Sequence, residues 1–346
     1  MTNSSAASSP SSLKVICDSP VTLTLGADGD NNFLYKTTGG DSNFSSAYAW
    51  STVANWDLGQ PEAGQSLDLA AHFGSGQVSV DDIASLSVSS LVPSSGLFVI
   101  DSGATLTVGT GGILAPGTVE IIGTLTINTL STVLFGETVL MAGGTLNSPT
   151  GGTDSDASTT LSGSGFIHGG EIRGTGKIIA SGGTLSISNT IASGAPLQID
   201  SGSVSDLLID GTAIASTAVV IDNANQTLEI GAVGALTISA AESITNGKIQ
   251  LDGGVLTDSA GMIIGSGARL TGSGTIGGSI IGTGIVEASG GILELTSDVG
   301  ASTGLDFRIN GATLQLDGTI GDGNQFSFIG QTGGLAYNNT AHGIAE

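Results

Sequence analysis

The sequence predicts an all-β protein, a single-stranded right-handed parallel β-helix (β-solenoid) with an aromatic-rich N-terminal cap. Three observations predict it: a long internal duplication, a short glycine-led strand pattern that recurs along the chain, and 57 glycines in 346 residues. A glycine inside a helix costs about 1 kcal/mol. No stretch keeps the i, i+3, i+4, i+7 apolar spacing of an amphipathic helix over three turns. We therefore assign almost no helix.

The duplication covers two segments of nearly equal length. The first copy, residues 161–187, reads LSGSGFIHGGEIRGTGKIIASGGTLSI, and the second copy, residues 270–295, reads LTGSGTIGGSIIGTGIVEASGGILEL. They align throughout when one residue is dropped, and the duplicated unit extends upstream to about 137–187 and 247–295. Repetition of this size is typical of a fold built by stacking similar units, and it argues against a unique catalytic pocket.

A shorter pattern recurs within and beyond the two copies: Gly, a small or β-branched residue, Leu, a polar residue and an apolar residue. Several of these units lie about 20 residues apart, and others lie near double that. The alternation puts Leu on the inward face of a strand and its polar neighbours on the outward face. The preceding glycines mark corners. Short strands and a coil of about 20 residues together indicate a parallel β-solenoid. The inward leucines include Leu106, Leu125, Leu146, Leu185, Leu256, Leu293 and Leu314.

Composition divides the chain into four parts. Residues 1–12 form a Ser-rich tail that we expect to be disordered. Residues 13–94 form the N-terminal capping segment, 95–330 the parallel β-helix with its duplicated unit, and 331–346 a C-terminal cap or tail.

The cap is predicted from the aromatic residues. The end of a solenoid exposes apolar core and open strand edges, so its terminal part must differ from the repeats. We interpret the tryptophans as core of this cap, with a platform for stacking sugars as the alternative. Eight of the 14 aromatic residues precede residue 101: Phe33, Tyr35, Phe44, Tyr48, Trp50, Trp56, Phe73 and Phe98.

The stretch from Trp50 to Gln65 carries a resemblance. It reads WSTVANWDLGQPEAGQ and is similar to the W-x(4)-N-W-x-x-G-x-x-P-x-x-G-D stretch that opens many bacterial surface β-helix proteins, with Gln65 in place of the usual Asp. The units that follow look like the repeats of autotransporter passengers and large repetitive adhesins. The resemblance covers roughly residues 45–330 and implies a bacterial surface or secreted β-helix. It implies no particular activity, because such families include adhesins, proteases and biofilm scaffolds.

Charge and targeting features limit the partners and the compartment. Thirty acidic and seven basic residues give a net charge of −23, which argues against binding to nucleic acid and to anionic lipid. No apolar run reaches the roughly 18 residues that a membrane-spanning helix needs. The lone Cys17 excludes an intramolecular disulfide. Residues 1–12 lack the basic and apolar regions of a secretory signal. From the resemblance we expect an extracellular or cell-surface location, reached without an N-terminal Sec signal.

Histidines and serines give no catalytic arrangement. His72, His168 and His342 are far apart in sequence, and Gly277 takes the place of His168 in the second copy. Residues 300–304 match G-x-S-x-G around Ser302. A nucleophile elbow needs a strand before the serine and a helix after it, whereas a Gly/Ser-rich solenoid produces this string by chance.

Paired carboxylates are the arrangement that a glycan-cleaving β-helix enzyme would need. Asp81 and Asp82 form the only Asp pair, and they precede the regular coils. A solvated turn explains the pair more simply. The sequence therefore assigns no catalytic residue.

Two acidic stretches resemble parts of a calcium loop. Asp28, Asp30 and Asn32 offer oxygen ligands at positions 1, 3 and 5 of an EF-hand-like loop, but Gly39 occupies position 12, where a bidentate Glu is needed. Residues 317–324 are incomplete in the same way. We assign no cofactor-binding or metal-ligating residue, and calcium stays open as an alternative.

Threonines offer one further alternative. Thr105 and Thr107 stack on Thr124 and Thr126 if the coil is about 20 residues long. Flat T-x-T arrays occur on ice-binding solenoids, but Thr is also a favourable outward residue of any strand.

These observations together predict a non-enzymatic adhesin or matrix scaffold of the cell surface or secretome. Its expected partners are a glycan, a host or cell surface, or the protein itself. The alternative is a polysaccharide-active β-helix enzyme, a lyase or glycoside hydrolase. An exposed cleft with two carboxylates about 5–10 Å apart would distinguish the enzyme from the scaffold.

Overall fold

The computed structural model describes most of the chain after residue 77 and short pieces before it. Contacts divide the chain into two compact units. The first unit is Met1–Thr160 with His168–Gly170, and the second unit is Leu161–Ile167 with Glu171–Glu346. The described residues are 14–16, 22–24, 48–50, 63–64, 66–68, 78–92, 96–115, 117–128, 133–135, 138–155, 159–192, 194–301, 304–330 and 332–338.

The described residues contain 27 strands and no helix. The strands are β1 (Lys14–Ile16), β2 (Thr22–Thr24), β3 (Tyr48–Ala49), β4 (Ser66–Asp68), β5 (Val78–Asp81), β6 (Leu86–Val92), β7 (Leu97–Ile100), β8 (Thr105–Ala115), β9 (Thr118–Ile121), β10 (Thr124–Ile127), β11 (Val133–Phe135), β12 (Thr138–Ser155), β13 (Thr160–Gly174), β14 (Lys177–Ile187), β15 (Leu197–Ile199), β16 (Ser205–Ile209), β17 (Thr212–Ala215), β18 (Gln226–Ile230), β19 (Ala235–Ile238), β20 (Glu242–Asp258), β21 (Met262–Gly277), β22 (Ile280–Gly282), β23 (Ile285–Leu295), β24 (Asp306–Asn310), β25 (Thr313–Leu316), β26 (Gln325–Ile329) and β27 (Gly334–Tyr337).

Within each unit the strands pair in parallel and in successive coils, which makes each unit a parallel β-solenoid. The antiparallel pair β1–β2 lies outside this ladder. The predicted fold class is therefore confirmed as all-β and solenoid, while its right-handed sense stays a prediction. Parallel pairs are also found outside residues 95–330, in β3–β5, β4–β6 and β25–β27.

In the first unit, the glycine-led pattern forms one continuous ladder. Strands β6, β8, β10 and β12 pair in parallel and bring Leu86, Leu106, Leu125 and Leu146 into one register column. All four side chains are buried. Successive leucines of this column are about 20 residues apart, which confirms the predicted coil length and the inward position of the leucines.

In the second unit, a longer ladder runs through β14, β16, β18, β20, β21, β23, β24 and β26. Each strand contributes one apolar residue to a single register column, and every member of the column except the last is buried. Identical or similar side chains stacked from coil to coil provide the continuous core that a solenoid requires. The column is Leu185, Leu207, Leu228, Ile249, Leu270, Val286, Phe307 and Phe326.

Glycine is required where neighbouring coils touch backbone to backbone. Gly278 has φ +108°, and a Cβ there would lie 1.8 Å from the carbonyl oxygen of Asp258. Its counterpart in the first copy, Gly169, has φ +112°, and a Cβ there would lie 2.4 Å from the carbonyl oxygen of Ser148. No other residue fits such a position, because both the left-handed backbone and the missing volume are needed.

The predicted aromatic cap falls mostly outside the described residues. Trp50 is fully buried, and its ring stacks on Phe98 with ring centroids 5.4 Å apart. Trp50 is therefore a core residue of the first unit, while the aromatic cap around it stays a prediction. Trp56 and the other predicted cap aromatics before residue 78 lie outside the described residues, apart from the backbone of Tyr48.

Candidate functional site

Three carboxylates form a row across three neighbouring strands of the second unit. Asp206 lies on β16, Glu229 on β18 and Asp252 on β20, at equal intervals along the chain. The register partner of Asp206 is Thr227, and that of Glu229 is Gln250. Each carboxylate thus stands two positions beyond the partner of the preceding one. Such diagonal neighbours share one face of a sheet and lie within reach of long side chains.

Strand alternation puts this carboxylate row on the outer face of the coils. The adjacent Leu207, Leu228 and Leu251 point inward and are buried. Asp206 and Glu229 are half-buried, whereas Asp252 is exposed. The row therefore starts in a partly dry environment and ends at the surface.

Close packing raises proton affinity within the row. The pKa of Glu229 rises to about 7, mainly through burial, and further through its hydrogen bond to Asp252 and the negative charge of Asp206. Burial also raises the pKa of Asp206, against a hydrogen bond with Glu229. The Oδ1 atom of Asp206 is buried and accepts no hydrogen bond from an N–H or hydroxyl group of the described residues. A protonated Glu229 would be a hydrogen-bond donor to Asp206, so we expect the two carboxyls to titrate as a pair.

Polar side chains hold both ends of the row. Thr184 Oγ1 donates to Asp206 Oδ2 at 3.3 Å. At the other end, Gln250 Nε2 donates to Asp252 Oδ1 at 3.0 Å, and Lys248 Nζ donates to Gln250 Oε1 at 2.7 Å. The positive charge of Lys248 also acts to lower the pKa of Asp206. These contacts fix the carboxylates in place on three separate coils.

A cavity of about 380 Å³ opens beside Asp252. Its polar lining consists of hydroxyl, amide and carboxylate groups, which suit hydrogen bonding to a polar ligand such as a sugar. No aromatic ring lines it to provide a stacking platform. The lining residues are Gln250, Leu251, Asp252, Thr271, Gly272, Ser273, Ser289 and Gly290.

The row has part of the chemistry of a glycan-cleaving site but not its spacing. A carboxyl that keeps its proton near pH 7, as Glu229 does, is suited to general acid catalysis. Glycosidases, however, hold their two carboxyls about 5 to 9.5 Å apart to leave room for the scissile bond or a water. Glu229 is in hydrogen-bond contact with both Asp206 and Asp252. The row is thus a ladder of hydrogen-bonded carboxyls.

A second pair of acids is buried in the same unit and supports a turn. Glu242 Oε1 accepts a hydrogen bond from Val219 N at 2.6 Å, and Glu242 N donates to Asp258 Oδ2 at 3.0 Å. Asp258 Oδ1 accepts from the backbone of Ala260 and Gly261. Burial and the nearby charge of Asp258 raise the pKa of Glu242 to about 7. Both side chains are occupied by backbone groups, which gives them a structural role.

The Asp81–Asp82 pair differs from the solvated turn that the sequence suggested. Asp81 is fully buried at the end of β5, and Asp82 is half-buried. Asp81 Oδ1 accepts from Ile83 N at 3.1 Å, and burial raises its pKa to about 7. The solvated-turn interpretation was wrong for Asp81, because its side chain is fully buried. A polysaccharide could not reach this carboxylate.

The other candidate residues are not brought together. His168 lies half-buried in the first unit, and His72 and His342 lie outside the described residues. So do Ser302, Asp28 and Asp30. The described residues on either side of Ser302 contain no helix, which a nucleophile elbow would need.

Two residues of the acidic stretch 317–324 have a side-chain oxygen engaged by protein donors. Asp317 Oδ1 accepts from Gln315 at 3.2 Å and from Asn338 at 3.0 Å, and Asn324 Oδ1 accepts from Leu305 N. Within the described part of the chain, no group of three or more His, Cys, Asp and Glu side chains is placed to hold a metal ion.

The threonine ladder has the predicted register. Thr105 pairs with Thr124 and Thr107 with Thr126. The next strand continues the first column with Thr145 but changes the second to Asn147. The stacking is confirmed, and the regular array ends within three coils.

Sequence reasoning missed the carboxylate row, although a signal was present. The interval from Asp206 to Glu229, which recurs from Glu229 to Asp252, equals one coil plus a two-residue step along the same face. Acidic residues that recur at an interval of one coil length plus two residues predict a diagonal row on one face. A search for acids adjacent in sequence instead selected Asp81 and Asp82.

The fold and this row place the chain in the class of parallel β-solenoid repeat proteins. In comparisons with known proteins, the chain matches no protein family and no curated protein. Among the described residues there is no helix long and apolar enough to cross a membrane.

Proposed function

We propose that the protein is a non-enzymatic adhesin or matrix scaffold of the bacterial surface or secretome, which binds partners through the outer face of its solenoid. The observation that carries the proposal is a pair of exposed isoleucines in register. Ile263 on β21 and Ile281 on β22 are partners, and their side chains are 42% and 37% exposed. Val220, which is 60% exposed, precedes the bridge Ile221↔Ile244 and is level with Ser243, the register partner of Ile263.

This aliphatic stripe, Val220, Ile263 and Ile281, is not needed for the core. The neighbours Met262, Ile264 and Ile280 already fill the interior and are buried. Apolar side chains that stay exposed in a row mark interaction surfaces, since each could be polar without loss of packing. A hydrogen-bonded ladder keeps such a row in a fixed geometry over several coils.

Charge defines the conditions under which the stripe would bind. The chain carries a net charge of −23, so it repels anionic surfaces over a Debye length of about 10 Å at 0.1 M salt. Neutral glycans or cation-screened surfaces fit this charge, and binding to cells should rise with salt or calcium.

The second candidate function is a polysaccharide-active enzyme, which the carboxylate row beside the 380 Å³ cavity favours. Against it stands the direct contact of the carboxyls, which leaves no room for a glycosidic bond between them. The absence of an aromatic platform in the cavity lining points the same way.

A paired binding and turnover assay tests the proposal. The protein should hydrolyse or eliminate none of a panel of neutral and acidic polysaccharides, yet bind cells or glycans. The double variant Ile263→Asp/Ile281→Asp should weaken that binding at least about tenfold, which corresponds to about 1.4 kcal/mol. The charge-matched control Val204→Asp/Val233→Asp changes two exposed valines outside the stripe and should bind as the wild type does. Turnover that disappears in Glu229→Gln would replace the scaffold proposal with the enzyme.

A further inference from the structure

The last coil of the second unit exposes apolar side chains that its sequence places in core positions. Every residue of β26 is exposed, and β27 alternates between half-buried and exposed. Phe328 is 57% exposed. The exposed apolar set, called here the terminal face, is Phe326, Phe328, Ile329, Leu335 and Tyr337.

Register shows that all of these except Ile329 are core positions without a covering layer, since Ile329 stands on the exposed Asn310. Phe328 stands on Ile309, Leu335 on Leu314, and Tyr337 on Leu316. Each of the residues beneath is fully or almost fully buried. The terminal face is therefore the upper surface of the core, left open because no further coil covers it in the described part of the chain.

We propose that the terminal face binds the terminal face of a second copy of this chain, forming a two-fold dimer. This inference rests on the proposed scaffold function and deepens it by naming a second copy as one partner. A two-fold contact uses the same surface on both partners and closes after two subunits.

The terminal face itself carries no charge that would repel a second copy. Residues 323–345 contain no Asp, Glu, Lys or Arg, in a chain with net charge −23. The rest of so acidic a molecule repels another copy, and this uncharged apolar face is where that repulsion is weakest, since salt screens charges that lie farther away. A basic partner would find no acidic group in this segment to pair with.

The chemistry of the face is self-complementary. The ring of Phe326 already stacks on Phe307, with centroids 4.9 Å apart and planes 10° from parallel. A second terminal face offers the same layer of rings and aliphatic groups, together with open strand edges that readily pair. One coil end is a small surface, so we expect a dissociation constant on the order of micromolar.

Sedimentation velocity from about 1 to 100 µM protein tests the proposal. The wild type should pass from monomer to dimer and stop there. The variant Phe328→Asp/Tyr337→Asp should weaken dimerisation at least about a hundredfold, because it places two charges on each apolar face. The control Val204→Asp/Val233→Asp adds the same charge elsewhere in the unit and should dimerise as the wild type does.

A second measurement uses only the wild type, because the variant could lose dimerisation simply by unfolding locally. Hydrogen exchange of wild-type β26 and β27 should slow as concentration rises through the dimerisation range, while β16 and β18 should not change. A wild type that stays monomeric at the highest concentration, open-ended growth, or a dimer unaffected by Phe328→Asp/Tyr337→Asp would each overturn the proposal. So would a dimer that forms only after removal of residues 339–346, since that segment would then be the occupant.

The two proposals fail separately. Polysaccharide turnover would refute the scaffold function and leave the sedimentation result unchanged. A monomer that still binds glycans through the aliphatic stripe would refute the terminal-face dimer alone.

Discussion

The two copies of the duplicated segment share their interior and differ on their outer face. Leu185 in the first copy and Leu293 in the second are both fully buried, as are Ile167 and Ile276. The carbonyl oxygens of these two isoleucines each accept a backbone hydrogen bond at 3.0 Å, from Ser188 in the first case and from Thr296 in the second. Inward side chains and coil-to-coil hydrogen bonds therefore repeat together.

The outward positions have diverged in chemistry. Phe166 in the first copy is exposed, whereas its counterpart Thr275 is half-buried and donates to Glu294. Ile179 in the first copy corresponds to Glu287 in the second, which pairs with Arg269 at 3.3 Å. Fold information thus resides in inward residues and corner glycines. The outer face was free to change, and it is where function is to be sought.

The crowded corner glycines should give the largest effect and should do so in both copies. Gly278→Ala and Gly169→Ala should each destabilise by about 4 kcal/mol or more, because the new Cβ meets a backbone carbonyl and the backbone is left-handed. The matched controls Gly290→Ala and Gly182→Ala have positive φ but nothing within 4 Å of the new Cβ. They should cost about 1–2 kcal/mol. Urea unfolding measures all four, and equal losses would contradict the crowding argument.

The inward leucines should give the next largest effect. Leu185→Ala and Leu293→Ala should each cost about 3 kcal/mol, since each leaves a cavity in the stacked column. In the outward Glu294→Gln, the amide oxygen accepts from Gln315 and the NH₂ group donates to Thr275 Oγ1, so the change should cost under about 0.5 kcal/mol. Thermal or urea unfolding distinguishes the two classes. If Glu294→Gln destabilised as much as Leu293→Ala, the strand register would be wrong by one residue.

The sequence predicted the repeating part of the fold because the interval between successive inward leucines equals the length of one coil. Leu106 to Leu125 to Leu146 gives the coil length directly, and the structure confirms it. Exposure was less predictable: alternation puts Ser186, the polar neighbour of Leu185, on the outward face, but it is buried at 6% exposure. Alternation tells which side a residue faces and not what covers that side.

The candidate site was harder to predict for a related reason. The carboxylate row depends on which outward positions of different coils become diagonal neighbours, so it needs the register of each coil as well as the mean period. Coil steps in the second unit are uneven, since the step from Leu185 to Leu207 is longer than the step from Leu270 to Val286. A one-residue error in register would move Glu229 onto the opposite face, away from the other two acids.

The copies and the stretch between them also neutralise their acids differently. In the second copy, Glu287 is nearly buried, and the guanidinium of Arg269 and the amide of Asn310 contact it. Between the copies, burial raises the pKa of Glu229 and of Glu242 to about 7. The first arrangement uses a cation, whereas in the second the raised pKa values make stability depend on pH near neutrality.

This contrast gives the smallest predicted effect. The pKa of Glu242 is raised from 4.5 to about 7 in the folded protein. Its stabilising contribution is therefore complete below about pH 4.5 and is lost as the pH rises through about 7. We expect this group alone to remove about 1–2 kcal/mol of stability between pH 5 and pH 8. Urea unfolding at pH 5, 6, 7 and 8 measures the loss.

The variant Glu242→Gln isolates this contribution. It should be less sensitive to pH than the wild type but not insensitive, because Asp81 and Glu229 also have a pKa of about 7. The control Glu171→Gln removes a partly exposed acid of the first copy, which is paired with Arg173, and should keep the wild-type slope because such surface pairs contribute little. If the free energy of unfolding of Glu242→Gln depended on pH as steeply as that of the wild type, the raised pKa of Glu242 would not be the cause of the pH dependence. The same would follow if the free energy of unfolding of Glu171→Gln depended on pH just as weakly as that of Glu242→Gln.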